Sequence, residues 1–339
     1  MLHRFYRLAR SVLFQLDAEK AHDLTLESLA CMSGSTARVL INPGVPSKPV
    51  EVMGIRFDNP VGLSAGLDKN AVAIDAFDGM GFGFVEVGTI TPLGQPGNPK
   101  PRMFRIPQKQ AIINRLGFNN RGVDNLIENV KKSSYKGVLG INIGKNKDTP
   151  VERAVDDYLI CMNKVYAHAD YITVNISSPN TPGLRGLQEG EALEGLLAGV
   201  KQAQARMTEE TGRYVPVAVK VAPDLDDEQI AEIARVVLNV KMDGLIATNT
   251  TITRDAVQGL KHADEQGGLS GAPVAQRSTE VIAAFHKILK DDVPIIGVGG
   301  ICSAEDALAK RDAGAKLVQI YSGFIYRGPA LIKEIVQSW

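Results

Sequence analysis

From about residue 50 onward, short apolar runs alternate with longer stretches in which apolar residues recur at helical spacing. The apolar runs have the short length and the β-branched residues that are typical of buried strands. The stretches between them, such as 228–238 and 304–313, have the period of amphipathic helices. The eight apolar runs cover residues 61–63, 84–87, 138–143, 171–176, 217–221, 245–247, 295–298 and 317–320.

Eight strands that alternate with helices predict a parallel sheet, because each crossover helix returns the chain to the same edge. We therefore predict an α/β fold, a (β/α)8 TIM barrel with an N-terminal helical extension. A doubly wound open sheet is the alternative. The connections after the second and sixth strands are long, so we expect insertions over the barrel mouth at these two places.

The first 44 residues have a different pattern from the rest of the chain. Apolar residues recur at helical spacing from the start, and Asp17 is placed to cap a second helix from 18 to about 32. An Asn-Pro-Gly sequence at 42–44 then marks a boundary. The chain is thus divided into an N-terminal helical segment, 1–44, and the predicted barrel, 45–339.

The first sixteen residues contain three arginines, no acidic residue and a row of apolar side chains. This segment is either a cap on the main domain or a surface that dips into a bilayer, and arginines beside Phe5 and Tyr6 favour the second interpretation. A signal peptide is disfavoured, because Gln15 interrupts the apolar stretch and Asp17 and Glu19 follow it. The sequence contains no run of eighteen apolar residues, so it predicts no membrane-spanning helix.

Composition excludes several other kinds of site. The 38 basic and 38 acidic residues balance, so the charge gives no general case for a nucleic-acid partner. Three isolated cysteines, Cys31, Cys161 and Cys302, have neither disulfide-framework nor zinc-site spacing. We therefore predict a reducing compartment and no metal.

Nearly every predicted strand ends in an amide, a hydroxyl, a lysine or a glycine. In a TIM barrel these ends meet on the face where active sites are built. The richest stretch is 171–185, in which a buried strand leads into several polar residues and Pro179 and Pro182 stiffen the backbone. These neutral hydrogen-bonding groups predict a planar heteroaromatic ligand. They include Ser64, Thr89, Asn142, Asn175, Ser178, Asn180, Thr248, Asn249 and Thr250, and the cationic Lys220 lies at a strand end among them.

The loops after the seventh and eighth strands, 297–300 and 321–323, are rich in glycine. Barrels commonly hold a phosphate there with backbone N–H groups. The chain has no Ser/His/Asp set and no paired carboxylates at strand ends, and its five histidines are scattered. This pattern disfavours hydrolysis and predicts chemistry that depends on an organic cofactor.

These motifs together resemble the membrane-associated, quinone-dependent (class 2) dihydroorotate dehydrogenases, and the resemblance spans the whole chain. Ser178 stands where a cysteine would indicate the soluble classes, which lack the N-terminal helices. The matching segments include 64–69, 86–89, 114–120, 140–144, 175–185, 218–224, 247–250, 267–271, 297–301 and 319–323.

The resemblance implies an FMN-containing enzyme that oxidises (S)-dihydroorotate to orotate in de novo pyrimidine (UMP) biosynthesis. It implies that electrons pass to ubiquinone or menaquinone, and that Ser178 is the catalytic base, with Thr181 as a relay through water. The implied substrate-binding residues are Lys69, Asn114, Arg115, Leu116, Gly117, Phe118, Asn175, Asn180, Asn249 and Thr250. The implied FMN-binding residues are Ala65, Gly66, Thr89, Asn142, Asn175, Lys220, Thr248, Gly271, Gly300, Tyr321 and Ser322.

The resemblance also implies a monomer, bound peripherally to the cytoplasmic face of the cell (inner) membrane, with Arg105 and His22 at the quinone entrance. Two rival functions stay open from the residues alone. One is a non-redox phosphate-binding barrel, a lyase or isomerase, and the other is a catalytically silent membrane-bound flavin module. Flavin colour and its bleaching by dihydroorotate distinguish the three.

Overall fold

The computed structural model describes residues 2–31 and 41–339, and for residues 2–5 the helical backbone only. The predicted role of the Phe5 side chain and the predicted end of the second helix at 32 therefore lie outside the described residues. The strands of the described part are β1 (Val50–Val52), β2 (Ile55–Phe57), β3 (Val61–Leu63), β4 (Phe84–Ile90), β5 (Leu93–Gln95), β6 (Met103–Ile106), β7 (Ala111–Asn114), β8 (Asn120–Gly122), β9 (Val138–Ile143), β10 (Tyr171–Asn175), β11 (Val217–Val221), β12 (Gly244–Ala247), β13 (Gly268–Gly271), β14 (Ile295–Val298) and β15 (Ala315–Ile320).

A closed barrel of eight parallel strands forms the centre of the fold, in the order β3-β4-β9-β10-β11-β12-β14-β15 and back to β3. Each strand coincides with one of the eight predicted apolar runs. The TIM barrel is therefore confirmed, and the open sheet is excluded. Most barrel residues are buried on both faces of the sheet, which is why the runs are nearly continuous in apolar residues rather than alternating.

Helices surround the barrel and bury its outer face, and the five 3-10 turns of the described part all lie in connections after barrel strands. Two of the helices begin at a capped residue: Asp226 forms a capping box with Gln229, and Ser303 accepts a hydrogen bond from the Asp306 N–H. The α-helices of the described part are α1 (Leu2–Leu13), α2 (Ala18–Ala30), α3 (Ile74–Gly79), α4 (Val123–Lys132), α5 (Ala154–Val165), α6 (Gly190–Thr211), α7 (Asp227–Asn239), α8 (Ala275–Leu289), α9 (Ala304–Asp312), α10 (Ser322–Arg327) and α11 (Ala330–Ser338).

The two ends of the barrel are covered in different ways. At the amino end, the β1–β2 hairpin packs Val52 and Phe57 against the first residue of β4, Phe84, and the two phenyl rings are 5.0 Å apart. At the carboxyl end lie the predicted insertions after β4 and β12. They form one structure, because β13 from the second insertion pairs with β7 from the first, and β7 pairs in turn with β6.

The N-terminal helices lie against this insertion and against α10. The Asp17 carboxylate accepts hydrogen bonds from the Glu19 and Lys20 N–H groups and so begins α2, as predicted. On the inner side of α1, the Tyr6 hydroxyl donates to the Ile325 carbonyl at 2.6 Å. The Phe14 ring, just after α1, packs edge-on against Tyr326.

Candidate active site

A pocket opens at the carboxyl ends of the barrel strands, between the strand ends and the β6–β7–β13 sheet. The barrel brings together nearly all the residues that the sequence predicts for substrate and cofactor. The predicted residues that line the pocket are Ala65, Gly66, Lys69, Thr89, Asn114, Leu116, Gly117, Phe118, Asn175, Ser178, Asn180, Lys220, Thr248, Asn249, Thr250, Gly271, Gly300, Tyr321 and Ser322.

Two predicted site residues do not line the pocket. Arg115 points away from it, with its guanidinium 2.7 Å from a Glu265 carboxylate oxygen and above the Phe104 ring. Asn142 is fully buried, and its side chain is held between Thr89 and Glu86. Asn142 therefore contacts a pocket residue, Thr89, rather than the pocket itself.

One side of the pocket is a connected set of amides. The Asn180 Nδ2 group donates to the Asn114 side chain and carbonyl, at 3.3 and 3.1 Å. The Asn249 Nδ2 group donates to Asn175 Oδ1 at 3.4 Å, and the Thr250 N–H donates to Asn249 Oδ1. These contacts fix the side chains before any ligand binds, so the wall can select a flat molecule with several N–H and carbonyl groups.

Ser178 lies in the segment after β10, at the edge of this amide set. Its hydroxyl accepts a hydrogen bond from the Asn180 N–H at 3.2 Å, which leaves the hydroxyl proton available. The Arg185 guanidinium holds the segment in place through the Ser177 carbonyl and through Asp224, at 2.8 Å. Thr181 is buried, and its hydroxyl has no hydrogen-bond partner in the described part of the chain.

Two lysines place positive charge on the pocket. Burial lowers the pKa of Lys69 to about 8, while the Glu19 carboxylate acts in the opposite direction. Burial also lowers the pKa of Lys220, and the nearby Glu86 carboxylate opposes this shift. The Lys220 ammonium reaches Ser64 Oγ at 3.4 Å.

The loops after β14 and β15 form the other end of the pocket. Gly300 has a φ of 76°, and a Cβ at this position would lie 2.4 Å from the Ala275 nitrogen at the start of α8. Only glycine therefore lets this loop lie against the helix end. The Ser322 hydroxyl donates to Ser270 Oγ at 2.8 Å, which joins the last barrel loop to β13.

The N-terminal helices are tied to the pocket by a buried ion pair. Glu19 and Arg102 are both nearly inaccessible, and the carboxylate receives the guanidinium at 2.8 Å. Arg102 also donates to the Asn98 carbonyl, and the Asn98 amide donates to the Asn180 carbonyl. Helix α2 is thus connected to the pocket wall through three side chains.

Of the two residues predicted for the quinone entrance, His22 lies on α2 itself, and Arg105 lies on β6 beside these helices. The Arg105 guanidinium lies 4.6 Å above the Phe14 ring centre and donates to the Leu13 and Leu16 carbonyls. Burial and the Lys69 charge lower the pKa of His22 to about 3, so this imidazole is neutral at ordinary pH.

The outer side of α1 and the turn after it carry apolar side chains that are exposed in the described part of the chain. Leu8, Val12 and Leu16 recur every fourth residue and are 70%, 64% and 41% exposed. Leu24 on α2 is also exposed. In the parts of the chain that the structure describes, no helix combines the length and apolarity needed to cross a bilayer, and no cluster of metal-ligating side chains is present.

Several pocket residues were not predicted. Gln319 had a visible signal, because a glutamine within a buried strand must have a polar partner. Val298 and Ile320 end barrel strands, and Gly299 and Gly323 belong to the two glycine-rich loops. No pattern in the sequence marks the others. The unpredicted lining residues are Ser270, Val274, Val298, Gly299, Ile301, Gln319, Ile320 and Gly323.

Comparisons with known proteins agree on one family. The family profile described as "Dihydroorotate dehydrogenase" matches residues 48–338. A curated protein of Vibrio atlanticus, named "Dihydroorotate dehydrogenase (quinone)", is 61% identical over 333 residues, which cover 98% of this chain and 99% of that protein. A protein of the same name from Photobacterium profundum is also 61% identical, with the same coverage.

Solved structures give the same result. The crystal structure of DHODH from Eimeria tenella in complex with ferulenol superposes with a TM-score of 0.87 at 39% identity, over 94% of this chain and 90% of that one. The ligand-free form from the same organism has a TM-score of 0.87 at 40% identity, over 95% and 94% of the two chains.

Proposed function

Because this chain belongs to the dihydroorotate dehydrogenase family and its relatives are the quinone-dependent (class 2) enzymes, we propose that its pocket is a site for FMN and dihydroorotate. The chain is an oxidoreductase that oxidises dihydroorotate to orotate with a quinone as the electron acceptor. Its place is in de novo pyrimidine (UMP) biosynthesis. The observation that carries the site assignment is that one pocket joins the amide wall, Ser178, two buried lysines and the glycine-rich loops.

The residues of the pocket fit FMN. Gln319 lines the pocket with an amide oxygen for which the described chain offers no donor, as expected where a ligand N–H belongs. Gly300 and Ser322 lie where backbone and hydroxyl groups suit a phosphate. When bound, FMN supplies the ring that accepts a hydride. The residues that would hold it are Ala65, Gly66, Thr89, Asn175, Lys220, Thr248, Gly271, Gly300, Tyr321 and Ser322, with Asn142 acting through Thr89.

The amide wall is proposed to bind dihydroorotate. Asn114, Asn175, Asn180 and Asn249 are already fixed by one another, so little side-chain entropy is lost when the substrate binds. Lys69 provides the positive charge for the substrate carboxylate. Leu116, Gly117, Phe118 and Thr250 complete the wall. Arg115 has a supporting role, because its ion pair with Glu265 anchors the insertion rather than touching the ligand.

Ser178 removes the proton from C5 of dihydroorotate in this proposal. A hydroxyl is a poor base unless its own proton can leave. The hydroxyl of Thr181, three residues further on, is buried and free of protein partners in the described chain, which supports a relay through a water molecule. Lys220 holds positive charge in the pocket where negative charge grows during the reaction, and such fixed charges contribute most of the rate in many enzymes.

The N-terminal segment, 1–44, is proposed as the quinone and membrane access segment, and 45–339 as the catalytic barrel. The exposed stripe of Leu8, Val12 and Leu16 supports contact with an acyl-chain surface, because large apolar side chains are seldom left in a row in water. Arg105, which contacts the end of α1, and His22, which lies on α2, are proposed to line the quinone entrance. We propose a monomer that binds peripherally to the cytoplasmic face of the inner membrane.

Anaerobic spectroscopy tests the proposal. Purified full-length protein should be yellow, should lose its visible absorbance when dihydroorotate is added, and should regain it when ubiquinone or menaquinone is supplied. A colourless protein would contradict FMN binding and favour a non-redox barrel. A yellow protein whose absorbance does not change with dihydroorotate would contradict the substrate.

A further inference from the structure

A single carboxylate lies fully buried inside the barrel, beneath the pocket. Glu86 on β4 does not line the pocket, yet four side-chain groups from three other strands donate hydrogen bonds to it. These donors are Asn142 Nδ2 at 2.8 Å, Tyr171 Oη at 2.8 Å, Thr173 Oγ1 at 3.1 Å and Gln319 Nε2 at 2.6 Å.

An ionised carboxylate only accepts hydrogen bonds, so it dictates which way an amide beside it must turn. Gln319 has to present its NH2 group to Glu86, and that group also donates to the Tyr171 hydroxyl at 3.2 Å. The amide oxygen is then the atom left for a ligand. Within the described residues no donor reaches this oxygen, although Gln319 lines the pocket and is fully buried.

The same rule fixes a second chain of hydrogen bonds from Glu86, which runs through Asn142. Asn142 turns its NH2 group to Glu86, so its oxygen accepts the Thr89 hydroxyl proton at 2.6 Å. Thr89 then accepts from Asn175 Nδ2 at 2.9 Å, and Asn175 Oδ1 accepts from Asn249 Nδ2. In this second chain of hydrogen bonds, every donor points toward Glu86, from the pocket wall down to the barrel centre.

The barrel is shaped to allow these contacts. Gly140 lies opposite both Glu86 and Tyr171 in the sheet register. A Cβ at this position would lie 2.2 Å from the Tyr171 ring, so a side chain there would displace the phenol from the carboxylate. A buried charge with four donors is a costly feature that an apolar layer could replace without loss of stability. This cost indicates a role in the site rather than in folding.

We propose that Glu86 is a positioning residue that sets the hydrogen-bonding direction of the pocket floor. Through Gln319 it presents a fixed acceptor to the one ring N–H of the oxidised isoalloxazine, and through Asn142 it orients the amides of the substrate wall. This inference rests on the proposed binding of FMN.

A double-mutant cycle tests the contact between Glu86 and Gln319. Glu86→Gln introduces a donor among four donors and allows Gln319 to turn over, and Gln319→Met removes the acceptor. FMN affinity of the full-length holoenzyme can be measured from the fluorescence of flavin released on dilution. We expect each variant to bind FMN about tenfold more weakly, the effect of one hydrogen bond, and the double variant to be no weaker than about tenfold. A hundredfold loss in the double variant, or no loss in Glu86→Gln, would overturn the proposal.

A matched control and a direct probe separate this role from mere loss of packing. Thr173→Val removes a hydrogen bond to the same carboxylate oxygen but touches no part of the pocket, so FMN affinity should stay within about twofold of the parent. In holoenzyme reconstituted with ¹⁵N-labelled FMN, the ring N–H proton resonance should move upfield in both Glu86→Gln and Gln319→Met. An unchanged resonance in Gln319→Met overturns the proposal even if Glu86→Gln does not fold. If the parent protein binds no FMN, both this proposal and the proposed function are refuted.

Discussion

Among single residues, Ser178 carries the most specific chemical expectation. Its hydroxyl makes one contact in the described chain, with the Asn180 N–H, and the amides of the wall are held by one another. Ser178→Ala should therefore keep FMN content and orotate affinity. The rate of flavin bleaching by dihydroorotate, measured by stopped flow at saturating substrate, should fall by about 10² to 10⁴, the contribution of a positioned base.

Two companion variants test whether proton transfer is the cause. Ser178→Cys should recover part of the rate and move the pH profile downward, since a thiol ionises near pH 8.5 and an alcohol does not ionise in this range. Thr181→Val should slow bleaching without changing orotate affinity, because it removes only the buried hydroxyl. An alanine variant that bleaches at the parent rate would show that Ser178 is not the base.

The titration of Lys69 leads to a second prediction at this scale. Burial lowers its pKa to about 8, so its ammonium is present below this pH and is lost above it. Affinity for orotate, whose carboxylate is proposed to bind this ammonium, should be constant at lower pH and fall by up to about tenfold per unit well above pH 8. Binding can be followed through the flavin spectrum between about pH 6.5 and 9.5.

Two variants at position 69 provide the control. Lys69→Arg keeps its charge throughout this range, so its affinity should not depend on pH. Lys69→Met should bind orotate weakly at every pH. If the parent affinity does not change across pH 8, another group neutralises the substrate carboxylate.

The sequence identified pocket residues at strand ends more reliably than those within strands. Thr89 and Thr248 could be predicted because a polar residue just after an apolar run lies at the barrel mouth. Gln319 and Glu86 were not, because a polar residue inside a run does not show which way it faces or what it contacts. Arg115 shows the opposite problem: its neighbours along the chain line the pocket, but its own side chain turns toward Glu265.

Among secondary-structure elements, the barrel strands were fully predictable and the insertions were not. Strands such as β9 and β10 are continuous apolar runs buried on both faces, and their parallel pairing follows from the βα repeat. The pairing of β7 with β13 joins segments more than 150 residues apart. Both strands are four residues long, and β13 is rich in glycine, so no local pattern specifies their register.

The contact between α2 and the first insertion gives a prediction at the scale of elements. Burial alone would raise the pKa of Glu19, but its hydrogen bonds to Arg102 and Lys100 hold that pKa below the ordinary value. Glu19→Gln leaves the buried Arg102 without a counter-charge and should reduce the free energy of unfolding by about 3 kcal/mol near pH 7. Urea denaturation of the holoenzyme measures this difference.

The effect of pH on this difference has a definite sign. The ion pair stabilises the fold above the unfolded-state pKa of glutamate, about 4.3, and this contribution is lost as the pH falls through the lowered pKa of the folded state. The parent and Glu19→Gln should therefore converge in stability in acid. Asp23→Asn on the same helix is an exposed control and should stay within about 0.5 kcal/mol of the parent. Equal losses in both variants would mean that the ion pair is not what fastens α2.

Across the whole molecule, the pocket lies where three parts of the chain meet: the barrel ends, the paired insertions and the N-terminal helices. The substrate wall belongs to the first two parts, and the exposed apolar stripe belongs to the third. The two half-reactions should therefore be separable by mutation, although they share one flavin. Deleting the helices is a poor test of this division, because it would also leave the buried Arg102 unpaired.

Changing only the outer face of the helices is a cleaner test. Leu8→Ser, Val12→Ser and Leu16→Ser combined leave the Glu19–Arg102 ion pair intact and remove a stripe whose burial in lipid is worth roughly 2 kcal/mol per side chain. Binding to phospholipid vesicles should fall by at least about a hundredfold, and reoxidation by a long-tailed quinone in those vesicles should slow sharply. Anaerobic bleaching by dihydroorotate should keep the parent rate.

A control changes exposed apolar residues elsewhere. Ile160→Ser with Ile288→Ser, both exposed on barrel helices, should change neither half-reaction nor vesicle binding. If quinone reoxidation in vesicles survives the triple change, the N-terminal helices are only a cap on the barrel and the membrane contact lies elsewhere.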